Sequence, residues 1–179
     1  MKFLNSQSWL PAAFPIYWKA YGGWSGLFRS PYIYVSIVIT VALSGLWLEC
    51  NDAGERVWAP LALSVLPSLV SFSLGALAIV FAMTSGVYLK LIHGEGDENS
   101  TFMRLIAVFF HFILVQIFAI LFALAVEAYS NIVLSAIGFW LFCYALLSGV
   151  AAASNLVLIA DIKNRASILE DDTEPPSER

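Results

Sequence analysis

The sequence predicts an all-α polytopic membrane protein: a four-helix transmembrane bundle preceded by an aromatic interfacial segment. Three observations predict it. Only 12% of the 179 residues are charged, while 60% are hydrophobic and 15% aromatic. A soluble domain carries about 25% charged and about 45–50% apolar residues. Mean hydropathy is +0.80. The apolar residues gather into four continuous runs with no Asp, Glu, Lys or Arg in their centres. This composition excludes a soluble globular domain, a disordered protein and a nucleic-acid binder with a basic face. A net charge of −4 removes a generic polyanion-binding surface as well, so no direct contact with nucleic acid is expected.

The first element is the segment 1–29. Trp9, Phe14, Tyr17, Trp18, Tyr21, Trp24 and Phe28 crowd a stretch whose only charge is Lys19. Phe14, Tyr17, Trp18 and Tyr21 share one helix face, before Gly22 and Gly23 interrupt it. Indole and phenol rings prefer the headgroup region. An in-plane helix on the cytoplasmic surface, anchored by Trp9, Trp18, Tyr21 and Trp24, accounts for this pattern. An ordinary aromatic belt accounts for it too.

The transmembrane domain follows over 30–160, with spans at about 30–48, 59–92, 102–126 and 132–160. About 20 apolar residues cross the hydrocarbon core. The second and fourth spans would reach about 50 and 44 Å, so they tilt, kink or project into water. Pro67 offers a kink in the second. Continuous apolar runs do not fit the alternation of a β-barrel. Lys2 is followed by polar residues and prolines, which does not read as a secretory signal.

Eight of the nine basic residues fall on one side of this topology; Arg56 alone falls on the other. The bias predicts a bacterial inner-membrane protein with both termini cytoplasmic. The loop HGEGDENS (93–100) reads as mobile and solvated, without metal-ligand spacing. The acidic tail 161–179 reads as disordered, and a cytoplasmic partner protein could read it. Cys50 and Cys143 lie at different depths and are too far apart to bridge. Cys143 reads as core, and Cys50 could link two copies in an oxidising compartment.

The second span carries the clearest pattern. Ser64, Ser68, Ser71, Gly75, Ala78 and Ala82, continuing to Ser85, form a heptad stripe of small residues. Small residues let helix backbones approach in lipid, so this helix reads as a central packing strut. Alternatively its hydroxyls line a polar path. Ala145, Gly149 and Ala152 repeat the pattern in the fourth span, and Ser36, Thr40 and Ser44 in the first. The third span is rich in Phe and holds the strongly polar side chains His111 and Gln116. Polar groups in hydrocarbon need partners, so both should face protein or water. Gln116 reads as a midplane interhelical hydrogen bond, or as pore lining. His111 reads as a polar contact in the cytoplasmic half, or as a gate. They lie about 140° apart on the helix and should serve two different contacts.

No catalytic residue, metal site or cofactor is expected. The spans hold no carboxylate, and the sequence shows no carbonyl filter, nucleotide loop, metalloprotease motif or nucleophile elbow.

At YGGWSGLFRSPY (21–32), LPSLVSFSLGALAI (66–79) and FFHFILVQ (109–116) the chain resembles a family of small bacterial four-helix inner-membrane proteins. In size and topology such proteins resemble membrane components of anti-phage systems, the four-span subunit of the Kiwa system among them. These motifs carry no chemistry, so the resemblance implies a fold and, by analogy, a place in antiviral defence. The expected function is non-enzymatic: a self-assembling homo-oligomer in the lipid bilayer, acting as membrane sensor, scaffold or pore-type effector. The alternative is a small channel or permease subunit with a housekeeping transport role.

Overall fold

The computed structural model describes residues 9–83 and 100–173, and every regular element among them is a helix. In chain order these are α1 (Trp9–Tyr21), α2 (Gly23–Arg29), α3 (Pro31–Ala42), α4 (Ser44–Leu48), α5 (Trp58–Met83), α6 (Thr101–Tyr129) and α7 (Ile132–Thr173). Gly22, at φ 95°, supplies the left-handed turn between α1 and α2. The Ser100 hydroxyl accepts the Met103 N–H and starts α6. Asn131 accepts the N–H groups of Val133 and Leu134 and starts α7 immediately after α6 ends. That tight connection makes α6 and α7 adjacent antiparallel helices.

Three helices are long and apolar enough to cross a membrane: Trp58–Ala82, Thr101–Tyr129 and Ile132–Ile162. A fourth crossing arises when α2 and α3, bent by 51° at Ser30, count as one span. This differs from the single helix expected over 30–48. The break at Leu43 divides that stretch into α3 and α4, and Pro31 starts α3 at the bend from α2, because proline suits a helix start and not its interior. The second expected span is seen as far as Met83; residues 84–92 and 93–99 of the loop lie outside the described residues. The expected disordered tail also differs. Helix α7 continues to Thr173, since no Gly or Pro intervenes before Pro175 and Ile159 and Ile162 extend its apolar face. Residues 174–179 lie outside the described residues.

Two apolar clusters fill the interior. One joins Ile33, Trp58, Ala62, Leu66, Ala119, Ala123, Phe139 and Phe142. The other joins Ala76, Val80, Leu105, Phe109, Phe112, Ala152 and Ile159. The outward faces stay apolar, with Val38, Val41, Leu61, Phe72, Phe118, Leu121 and Val150 exposed. An apolar exterior of this extent suits a lipid environment.

The small-residue stripe of α5 is found on the outside. Ser64, Ser68, Ser71, Gly75, Ala78 and Ala82 are all exposed, and a Cβ added at Gly75 would meet nothing within 4 Å. The Ser64 and Ser71 hydroxyls bond carbonyls of their own helix, at Leu61 and Pro67. Inside the chain, α5 packs through Ala62, Leu66, Ser73, Ala76 and Val80. That set is the stripe moved back by two residues, about 200° round the helix. The helix therefore carries two heptad faces, and the one with more apolar bulk packs inward. The other two small faces do pack. Ser36, Thr40, Ala145 and Ala152 are buried, and a Cβ on Gly149 would stand 3.0 Å from the Phe112 ring.

The connection between α4 and α5 is tied down by Arg56. Its guanidinium donates to the carbonyls of Trp47, Leu48 and Ser130, closing the ends of α4 and α6. Ser135 adds a second tie, donating to Trp47 and accepting the Trp58 indole N–H.

Candidate functional site: a histidine and three tyrosines above a cavity

Helix α6 positions both polar side chains that the sequence singles out, and each meets a partner within the chain. Gln116 is fully buried between α5 and α6. The Ser73 hydroxyl lies 2.6 Å from the Leu69 carbonyl, which takes its one proton. The Gln116 amide then donates to the Ser73 oxygen at 3.2 Å. A neutral interhelical pair of this kind is worth on the order of 1 kcal/mol in lipid.

His111 lies on the other side of α6. Its Nδ1 is 2.7 Å from the Tyr17 hydroxyl of α1, and its Nε2 is 3.0 Å from the Tyr144 hydroxyl of α7. A neutral imidazole offers one donor and one acceptor. One tyrosine therefore accepts its N–H and the other donates to its bare nitrogen. The Tyr21 ring stacks on the imidazole, centroids 4.2 Å apart and planes within 23°. Tyr17 also meets Phe110 edge-on at 4.9 Å. His111 thus latches α1 onto both α6 and α7.

Burial raises the Tyr17 hydroxyl to about 12, with the neighbouring Tyr21 acting in the same direction. Burial also pushes the Tyr21 hydroxyl up, opposed by the Tyr144 hydroxyl beside it. Both phenols of α1 therefore stay neutral donors at physiological pH.

Below this cluster a cavity of about 590 Å³ opens between α2, α6 and α7. His111 and Tyr144 line one end, and Arg29 and Arg104 line it as well. Ser148 and Asn155 add neutral polar groups, and Phe102, Leu105 and Leu158 are among its apolar walls.

The interfacial anchors divide. Tyr21 joins the His111 cluster, and Trp18 packs on Phe14 and Trp24. Trp24 is exposed, and the side chain of Trp9 lies outside the described residues. The stripe residues of α5 do not reach this site. Cys50 is exposed and Cys143 buried. Among the described residues no group of three metal-ligating side chains converges.

Residue counting misses Tyr17 and Tyr144 as partners of His111. It puts Ser148 level with the imidazole, one helical turn away from Tyr144, because it assumes untilted helices. It reads Tyr17 as an interfacial ring and not as a docked one. The available signal is the Tyr17/Tyr21 pair, four residues apart on one face of α1 and facing a helix with one histidine.

No protein-family model, curated protein or solved structure matches this chain.

Proposed function

We propose that this chain is a non-enzymatic, multi-pass inner-membrane protein that assembles with copies of itself and serves as a membrane sensor or scaffold. The observation that carries it is the open small-residue face of α5, from Ser64 to Ala82. Within lipid, helices associate by close backbone approach, and this face permits it. Four crossings, with α2 and α3 as one bent span and both termini cytoplasmic, complete the topology. The His111 latch supports the sensing role, since it couples an aromatic helix at the membrane surface to two long helices. A pore-type effector or a housekeeping channel needs a polar path, whereas Gln116 and His111 spend their hydrogen bonds on Ser73, Tyr17 and Tyr144.

The test is the oligomeric state in lipid nanodiscs at low protein-to-lipid ratio. Wild type should give a defined oligomer. In a Cys50→Ser background, Gly75→Cys should cross-link two chains, while Gly75→Leu should shift the population to monomer without unfolding it. A wild type that stays monomeric in mild detergent and in lipid ends the self-assembly reading. Size and topology like those of anti-phage membrane components point the assembly toward phage defence. Plating efficiency of phage on hosts with and without the gene tests that separately, and liposome conductance tests the channel reading.

A further inference from the structure

We infer that the cavity between α2, α6 and α7 holds the head of one anionic phospholipid. Arg29 and Arg104 line one cavity from different helices, and no carboxylate is among the described residues that line it. Both arginines are exposed as well as lining the cavity, so their charged groups remain accessible. Guanidinium forks match phosphate oxygens bidentately. A soluble anion needs nothing more than those charges. This cavity is instead amphipathic, with apolar walls, and Leu158, which lines it, is itself exposed. The cavity is therefore open at an apolar residue of α7, which is where acyl chains would leave it. Its volume of about 590 Å³ accommodates a headgroup with its glycerol and the first chain segments, and the remaining chain lies along α7. Ser148 and Tyr144 put hydroxyl oxygens on the cavity wall, the Ser148 proton being taken by the Ala145 carbonyl.

This inference rests on the membrane reading of the chain and is independent of self-assembly. The experiment is native mass spectrometry of the full chain released from nanodiscs of phosphatidylcholine, with and without phosphatidylglycerol. Wild type should retain one phosphatidylglycerol per chain and discriminate against phosphatidylcholine. Arg29→Gln with Arg104→Gln should weaken the affinity for phosphatidylglycerol by about thirtyfold, from two surface-level charges. Ala151→Phe keeps both arginines but fills the cavity, and should also lose the lipid. Retention that is equal for both lipids, or unchanged in the double variant, overturns the inference. So does displacement of the lipid by inorganic phosphate at equal concentration, which would mean that charge alone is recognised. The same spectra give the oligomer mass, so loss of the oligomer with the lipid retained rejects only the assembly reading.

Discussion

His111 shows how one polar residue in an apolar helix is put to use. Its two ring nitrogens are satisfied by Tyr17 and Tyr144, so it joins three helices through side chains alone. Tyr17→Phe removes one of these bonds and keeps the ring packing. The expected result is faster hydrogen exchange in α1, with α6 and α7 unchanged, because the latch holds only the short helix. The latch also has an alkaline limit. The folded Tyr17 hydroxyl titrates near 12 and the unfolded one near 10. As pH rises through that interval the unfolded chain releases its proton first, so docking of α1 weakens there and is unaffected below pH 10. Tryptophan fluorescence from Trp18 and Trp24 against pH checks this, and Tyr17→Phe should reduce the response to the part carried by Tyr21. The need of His111 and Gln116 for partners was legible in the sequence, since hydrocarbon leaves such groups no alternative. Their partners were not, because Tyr17 lies 94 residues from His111 and Ser73 lies 43 from Gln116.

At the scale of the element, α5 and α7 show opposite uses of glycine. Gly149 faces Phe112 so closely that an added Cβ would stand 3.0 Å from the ring, whereas Gly75 faces open space. Gly149→Val should therefore lower stability by about 1–3 kcal/mol through overpacking. Gly75→Ala should instead raise the intrinsic stability of its helix by about 0.5–1 kcal/mol. Thermal unfolding of both variants in one detergent measures the contrast, with the detergent-solubilised chain held monomeric. Helix positions were readable for α5, α6 and α7, because long apolar runs leave few alternatives. The packing face of α5 was not. Its two heptad faces have the same period, and only the volumes of Leu66 and Val80 against those of Ser68 and Ala82 decide between them. The smaller set looks like a helix interface and turns outward.

At the scale of the whole molecule, the charge distribution sets the expected orientation. Single-cysteine labelling in intact cells, in a Cys50→Ser, Cys143→Ala background, should find Asn51→Cys shielded from a membrane-impermeant reagent while the outer membrane is intact. With the outer membrane permeabilised, Asn51→Cys should label while Ser6→Cys and Ser177→Cys do not. Labelling of the terminal positions instead would invert the topology. The division between bundle and tail was the least legible boundary. Acidic composition signalled disorder, yet α7 continues without a breaker to Thr173. That continuity changes the mechanics of the C-terminus. From Ala160 to Thr173 the helix extends about 20 Å, so a tilt of about 10° at its base carries its end through about 3 Å. A flexible tether would dissipate such a tilt; a stiff rod reports it as displacement. A change in the angle of α7, the same helix that Tyr144 joins to His111, would thus appear as a displacement of its C-terminal end.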